Sequence, residues 1–355
     1  MIKPPDYVSS MRPYVPGKPV EELERELGIT GSIKLASNEN PLGPSPIALA
    51  AIKDATKDLN RYPDGGGYYV RNALSKQLSV EPANIILGNG SNELLDIAAR
   101  TYMRPGDEAV MATPSFVVYP MAVQSLGGRA VQVPLRNYTH DLPSMREAVT
   151  GKTRIVFIAN PNNPTGTIIK GDEFDAFMKG LPEGVLTVMD EAYYEYVTDP
   201  HYADSLKWFR NGKDILILRT FSKIFGLAGL RIGYGIAGSG IITEMNKLRP
   251  PFNTSTMAQD AALGALRDDS HVMKSRETNE IGKQYLYEGL ARLGVGHVPT
   301  EANFVYIPVA DSMGLYEKLL KKGVIVRPMG PALRVTIGLA EENERFLDAL
   351  RSVMA

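Results

Sequence analysis

The 355-residue chain contains no cysteine, which excludes disulfide bonds, thiolate metal sites and a cysteine nucleophile. It has only four histidines, and they stand too far apart to form a metal-ligand pair: His140, His201, His271 and His297. The formal net charge is only −1, so the basic excess that nucleic-acid binding requires is missing. No apolar run approaches the roughly 18–20 residues of a membrane span. These absences predict a metal-independent protein that binds neither nucleic acid nor a membrane.

The first residues, Met1 to Asp6, lack the apolar core of a secretory signal, so we expect a cytoplasmic location. What the chain does contain is typical of a soluble globular protein, with 44% hydrophobic and 22% charged residues. Its length suits two domains, or one large domain with an appendage.

Composition divides the chain into three parts. Residues 1–45 are rich in proline and glycine, with one short helix predicted over Val20–Leu27, and are expected to form an arm that packs with a small domain. Residues 46–249 alternate apolar runs with amphipathic stretches and are expected to form the large domain. Residues 250–355, after the pair Pro250-Pro251, are expected to form a small α+β domain that includes an interdomain helix.

The alternation in the large domain predicts an α/β fold with a mostly parallel central sheet and helices on both faces. The predicted strands are Asn84–Leu87, Glu108–Ala112, Ala130–Val133, Arg154–Ala159, Leu186–Met189, Ile215–Leu218 and Arg231–Ile236. The predicted helices are Glu93–Met103, Phe116–Leu126, Leu142–Val149, Asp172–Lys179 and Ile241–Arg249. The elements predicted after residue 250 are a long helical stretch over Thr256–Arg292, strands Phe304–Ile307, Val324–Arg327 and Leu333–Ile337, and helices Gly314–Lys322 and Glu341–Met354.

One predicted strand delivers a lysine to the sheet edge where ligands bind. The apolar residues Ile215 to Leu218 are followed by Thr220, Ser222 and Lys223. A partly desolvated lysine has a lowered pKa and can attack an aldehyde, while two hydroxyls suit a phosphate. This combination indicates pyridoxal phosphate held as a Schiff base. The alternative for an isolated lysine is a solvated residue at a strand end.

Other segments follow strands in the same way. Gly88-Asn89-Gly90-Ser91-Asn92-Glu93 opens a helix, which either binds an anion at its N-terminus or is an ordinary turn with a serine cap. Asn160 to Gly166 forms a rigid turn with prolines and amides that could bind a polar ring substituent. Asp190 ends a buried strand and needs a partner, which could be a pyridinium N–H, a helix cap or a salt bridge. Tyr193 lies three residues further on and could bond the phenolic oxygen of the cofactor.

Two further residues fit the same chemistry. Arg231 lies eight residues after Lys223, beyond a glycine-containing turn that could fold it back onto the same phosphate. Phe116 follows a strand and could stack on a flat ring, although core packing explains it equally well.

In order and spacing these segments resemble the fold-type-I pyridoxal-phosphate aminotransferases over nearly the whole chain. Within that superfamily the chain is most similar to the histidinol-phosphate aminotransferase family. The similarity is carried by Leu35-Ala36-Ser37-Asn38-Glu39-Asn40-Pro41-Leu42-Gly43, Asn60-Arg61-Tyr62-Pro63-Asp64 and Leu333-Arg334-Val335-Thr336-Ile337-Gly338.

The resemblance implies that Lys223 carries the cofactor and shuttles a proton, that Asp190 pairs with the pyridinium and that Tyr193 bonds the ring oxygen. The cofactor contacts that it implies are Tyr62, Gly90, Ser91, Asn92, Phe116, Asn163, Asp190, Tyr193, Thr220, Ser222, Lys223 and Arg231. The substrate contacts that it implies are Tyr14, Asn40, Arg327 and Arg334.

In such a family Tyr62 would reach the cofactor of a neighbouring subunit, which implies a homodimer. The implied reaction is transamination of L-histidinol phosphate with 2-oxoglutarate, a step of histidine biosynthesis. The alternatives are an aromatic amino-acid aminotransferase, a pyridoxal-phosphate decarboxylase of a phosphorylated amino acid, and a regulatory binding protein. The last is disfavoured because no DNA-binding segment precedes the domain.

Overall fold

A computed structural model describes residues 2–354. Its helices are α1 Asp6–Ser9, α2 Val20–Leu27, α3 Pro46–Ala55, α4 Tyr68–Leu78, α5 Ser91–Tyr102, α6 Val118–Ser125, α7 Leu142–Glu147, α8 Gly171–Gly180, α9 Ser205–Arg210, α10 Ser239–Leu248, α11 Thr256–Ala265, α12 Asp269–Arg292, α13 Ser312–Lys321 and α14 Ala340–Met354. Its strands are β1 Ile33–Lys34, β2 Ile85–Gly88, β3 Glu108–Thr113, β4 Arg129–Pro134, β5 Thr153–Ala159, β6 Leu186–Asp190, β7 Ile215–Thr220, β8 Gly233–Ile236, β9 Phe304–Pro308, β10 Val324–Ile325, β11 Arg327–Pro328 and β12 Ala332–Thr336.

The predicted α/β fold is confirmed by a seven-stranded sheet in the order β2-β8-β7-β6-β5-β3-β4. Strands β3 to β7 pair in parallel, whereas β8 pairs antiparallel with both β2 and β7. The middle strands β5, β6 and β7 are apolar because both faces of the sheet are covered. One core cluster packs α7, α8 and α11 on one face, and a second packs α5, α6 and α10 on the other.

The C-terminal part builds a small sheet in the order β11-β12-β9, on which α12, α13 and α14 pack through a third apolar cluster. The N-terminal segment joins this part, because β1 pairs in parallel with β10 and Leu23 packs against Ile325. Helix α11 packs instead on α3 and on the core of the large sheet. The domain boundary at residues 249 and 250 stays a prediction.

Two predicted elements differ from the structure, because each is divided into two. The strand predicted over Val324–Arg327 forms β10, which pairs with β1, and β11, which pairs with β12. The helical stretch predicted over Thr256–Arg292 is divided between α11 and α12. The side chain of Asp268 accepts a hydrogen bond from the backbone of His271 and so starts a new helix. Helices α1, α3, α4 and α9 and strand β1 were not predicted. None of the helices described within residues 2–354 is long and apolar enough to cross a membrane.

Candidate active site

A cavity of about 510 Å³ opens where β5, β6 and β7 end at their carboxyl termini. Strand order places these ends side by side, so residues distant in sequence meet there. Of the residues predicted from the sequence, the cavity is lined by Tyr14, Ser91, Asn92, Phe116, Asn163, Asp190, Tyr193, Thr220, Ser222, Lys223, Arg231, Arg327 and Arg334.

Lys223 follows β7 and extends its amine into this cavity. Its Nζ donates a hydrogen bond to the backbone oxygen of Ser37 at 3.1 Å and lies 5.6 Å from the ring centre of Tyr193. Burial, with a smaller contribution from the positive charge of Arg334, lowers the pKa of Lys223 to about 7. A substantial fraction of the amine is therefore neutral at pH 7, as a nucleophile or proton acceptor must be.

Asp190 ends β6 and is almost completely buried. Burial raises the pKa of Asp190 to about 6, although the hydroxyl of Tyr119 opposes this rise by donating to Oδ2 at 2.8 Å. The other oxygen, Oδ1, accepts the backbone N–H of Ala192 at 3.3 Å. A buried carboxylate held from two sides fits a cationic N–H donor in the cavity.

Tyr119 is a site residue that the sequence reasoning missed. It is fully buried, stacks in parallel on Phe157 at 5.0 Å and meets the ring of Phe116 edge-on at 5.6 Å. It therefore supports both the aromatic wall and the carboxylate of Asp190. The available signal was its position three residues after Phe116, which places both residues on the same face of a helical turn.

The opposite end of the cavity is shaped for an anion. Helix α5 begins at Ser91, and no side chain caps its N-terminus within the described residues. The preceding Gly90 has φ +75°, and a Cβ there would lie only 2.6 Å from Nη2 of Arg231. Arg231 donates from Nη1 to the hydroxyl of Ser222 at 3.3 Å, and Thr220 is buried beside them. Free amides, hydroxyls and a guanidinium form a set of donors suited to a phosphate.

Two arginines form the third side. In the small sheet Arg327 of β11 lies directly opposite Arg334 of β12. The buried guanidinium of Arg334 donates to Oδ1 of Asn163 and to the backbone oxygen of Ala36, both at 2.6 Å. Its Nε is also buried and has no partner among residues 2–354. Arg327 donates to the backbone oxygen of Val15 at 2.7 Å. The pair can therefore receive an anionic group.

The structure does not bring three of the predicted residues to the cavity wall. Tyr62 is 82% exposed and stacks on Phe252 at 4.7 Å. The amide of Asn40 is buried and donates to the backbone of Ile224 at 2.6 Å and to Ser275 at 2.9 Å, which gives it a role in holding the loop. Gly90 does not line the cavity but allows Arg231 to approach it.

These residues fit pyridoxal phosphate. An aldehyde needs the amine of Lys223, a protonated ring nitrogen needs the buried carboxylate of Asp190, and the phosphate needs the donors around Arg231. Phe116 and Ala192 both line the cavity and offer apolar surface to a flat ring.

Comparisons with known proteins give the same result. The family model described as aminotransferase class I and II matches residues 30–350. A histidinol-phosphate aminotransferase of Moorella thermoacetica is 52% identical, over 98% of this chain and 92% of its own length. Histidinol-phosphate aminotransferase 1 of Nitrosococcus oceani is 49% identical, over 98% of this chain and 95% of its own. Among solved structures, the chain is similar to the crystal structure of histidinol-phosphate aminotransferase from Sinorhizobium meliloti in complex with pyridoxal-5'-phosphate. The two superpose with a TM-score of 0.91 at 28% sequence identity, and the match covers 100% of this chain and 98% of the Sinorhizobium meliloti chain.

Proposed function

The chain belongs to the class I and II aminotransferase family, and from this premise we propose that it transfers the amino group of L-histidinol phosphate to 2-oxoglutarate with pyridoxal phosphate as cofactor. The products are imidazole acetol phosphate and L-glutamate, and the reaction belongs to histidine biosynthesis. The observation that carries the substrate assignment is the pairing of Arg327 opposite Arg334 at the cavity. Two guanidinium groups side by side suit a phosphorylated donor better than an uncharged one.

We assign the cofactor contacts as follows. The amides and hydroxyls of Ser91, Asn92, Thr220 and Ser222, with the guanidinium of Arg231, hold the phosphate. When bound, the cofactor supplies an electron sink that stabilises negative charge on the substrate carbon. Asp190 keeps the ring nitrogen protonated because its carboxylate is buried and held by Tyr119 and Ala192.

The remaining residues act on the ring face, the ring oxygen and the proton. Phe116 stacks on the ring, and Asn163 and Tyr193 donate hydrogen bonds to its oxygen. The Nζ of Lys223 takes the proton from the substrate carbon that carries the amino group, for which its pKa of about 7 is well matched. The resulting ammonium can return a proton within the same cavity.

Substrate recognition falls to the third side of the cavity. Arg334 suits a carboxylate in a bidentate geometry and so can bind 2-oxoglutarate, while the pair with Arg327 binds the phosphate of the donor. Tyr14 lies with its ring 5.5 Å from the guanidinium of Arg327 and closes this side. Asn40 is left out of the substrate contacts, because its amide is already bonded to Ile224 and Ser275.

A panel of amino donors tests the proposed function. The cofactor-loaded protein is mixed with histidinol phosphate, histidinol or phenylalanine, and the loss of the cofactor's visible absorption is followed. We expect histidinol phosphate to react with the highest kcat/KM. A preference for phenylalanine would replace the proposal with an aromatic amino-acid aminotransferase.

Arg327→Ala should lower kcat/KM selectively for the phosphorylated donor. Loss of a charge-assisted contact is worth about 1.5–3 kcal/mol, so kcat/KM for histidinol phosphate should fall roughly ten- to a hundredfold. The value for phenylalanine should change much less. Arg351→Ala is the matched control, since it removes an exposed arginine of the same domain. An equal loss for every donor would contradict the phosphate role.

We further propose that the protein acts as a homodimer in the cytoplasm. An exposed aromatic patch supports the dimer, since Tyr62, Tyr68, Tyr69 and Phe252 are 82%, 64%, 70% and 45% exposed. Large apolar patches of this kind mark protein interfaces. A second copy seated there would cover the patch and could bring its Tyr62 to the phosphate end of the cavity.

Mixing two impaired variants tests this shared site. We expect Lys223→Ala and Tyr62→Phe to be strongly impaired separately and to recover activity when their subunits exchange. Each mixed dimer then has one complete site, so a fully exchanged equal mixture reaches about a quarter of wild-type activity. Lys223→Ala mixed with Asp190→Asn should recover nothing, because both changes affect the same subunit's half of the site. Full activity of a monomer, shown by light scattering under assay conditions, would contradict the proposal.

A further inference from the structure

Asn38 lies in the wall of the cavity in an unusual backbone conformation. Its φ is +55°, in the left-handed region, and the residue is 1% exposed. Its N–H donates to the hydroxyl oxygen of Thr336 at 2.9 Å, and its backbone oxygen accepts from the amide of Asn303 at 3.1 Å. Two residues of the small domain therefore fix the position of Asn38.

The same contacts fix which way its amide faces. The hydroxyl of Thr336 accepts the N–H of Asn38 and donates its own proton to Oδ1 of Asn38 at 3.2 Å. Nδ2 is then the end that faces Tyr193, and it donates to the tyrosine hydroxyl at 2.9 Å. Oδ1, the amide atom of Asn38 that could accept a hydrogen bond from Tyr193, points toward Thr336 and away from Tyr193.

This direction decides what the hydroxyl of Tyr193 can do. A hydroxyl has one proton to donate, and here its oxygen is already accepting from Asn38. Among residues 2–354 no side chain or backbone group accepts the proton of Tyr193. The ring is held edge-on against Phe304 at 5.1 Å, so the hydroxyl stays at the cavity wall. The proton therefore remains available for an acceptor inside the cavity.

We propose that Asn38 is a positioning residue that makes the hydroxyl of Tyr193 a hydrogen-bond donor to the ring oxygen of the cofactor. The proposal rests on the assignment of Tyr193 given above and adds the residue that sets the direction of its hydrogen bond. It also links the small domain to the reaction site, since Thr336 and Asn303 hold Asn38 in place.

The competing explanation is that asparagine occupies position 38 only because it tolerates a positive φ. Asn38→Gly separates the two explanations, since glycine accepts this backbone conformation but has no amide. Asn137→Gly is the matched control, because Asn137 also has a positive φ, of +51°, and does not line the cavity.

The measurement is the pH midpoint at which the pyridoxal-phosphate-bound protein changes its visible absorption. A hydrogen bond donated to the ring oxygen stabilises its negative charge, so losing that bond raises the midpoint. We expect Tyr193→Phe to raise it by about one unit and Asn38→Gly by a smaller amount. The other charged or titratable groups that act on Tyr193 are Arg334, Asp190, Tyr14 and the nearby Lys223, and all are unchanged in these variants.

A double-mutant cycle gives the decisive result. If Asn38 acts through the hydroxyl of Tyr193, Asn38→Gly should shift the midpoint in the wild type and leave it unchanged in the Tyr193→Phe background. An equal shift in both backgrounds, or none in the wild type, would overturn the proposal. Thr336→Val, which frees the amide to turn, should raise the midpoint in the same direction. A protein that transaminates histidinol phosphate while Asn38→Gly has no effect would retain the proposed function and lose this inference.

Discussion

Lys223→Ala is expected to abolish transamination while the protein still binds pyridoxal phosphate without a covalent bond. The substitution removes the amine that we propose links the cofactor and moves the proton, and no other lysine lines the cavity among the described residues. Borohydride reduction of the wild type, followed by peptide mapping, should place the pyridoxyl group on Lys223. Label on another lysine would contradict the assignment.

Lys223→Arg is the conservative control for this experiment. Arginine keeps a positive charge in the cavity but stays protonated, so it can neither link the cofactor nor accept a proton. Both variants should therefore lack activity and covalent label, although only the alanine variant loses the charge. Retained activity in Lys223→Arg would show that charge alone is what the site requires.

The unfolding equilibrium of the cofactor-free protein provides a second test of the buried amine. The pKa of Lys223 is about 7 when folded and near its ordinary 10.5 when unfolded. Between these values the unfolded state binds more protons, so this lysine makes the folded state more stable as pH rises through that window. The free energy of unfolding of the wild type should therefore increase relative to Lys223→Ala between about pH 7 and 10. A difference independent of pH would mean that the amine is solvated.

The sheet could be predicted from the sequence because its strands are apolar on both faces. The run Ile215 to Leu218 has no polar residue that would suit a solvent-facing side, and the structure buries all of β7. The point where Thr256–Arg292 divides was harder to predict. It depends on one hydrogen bond of Asp268, and helical periodicity on either side conceals it.

The residues that we propose as cofactor contacts follow strands in short motifs, and this made the positions of Lys223 and Asp190 in the cavity predictable. No such motif pairs them with their supporting residues. Tyr119 supports Asp190 from a helix 71 residues away, and Asn38 reaches Tyr193 across 155 residues. Such pairs depend on how the arm and helices pack, which sequence periodicity does not specify. The same limit applies to the bond between Arg334 and Asn163.

Asp190→Asn is expected to lower turnover by about 10²–10³-fold, the usual effect of removing one preorganised charge-stabilising group. An amide has the shape of the carboxylate but no charge, so it does not keep the ring nitrogen protonated. The loss should appear mainly in kcat, because negative charge on the substrate carbon is greatest in the transition state. Cofactor occupancy, measured by absorbance after gel filtration, should fall much less than turnover.

Two controls show that the loss of turnover comes from the missing charge of Asp190 and not from a less stable protein. The folded pKa of Asp190 is raised from 3.8 to about 6. Burying its charge therefore destabilises the cofactor-free protein progressively between these two pH values and fully at pH 7, where Asp190→Asn should be at least as stable as the wild type. Tyr119→Phe keeps the carboxylate but removes the hydrogen bond to it, so its turnover should fall between those of the wild type and Asp190→Asn. Unchanged turnover in Asp190→Asn would leave this residue only as a hydrogen-bond partner of Tyr119 and Ala192.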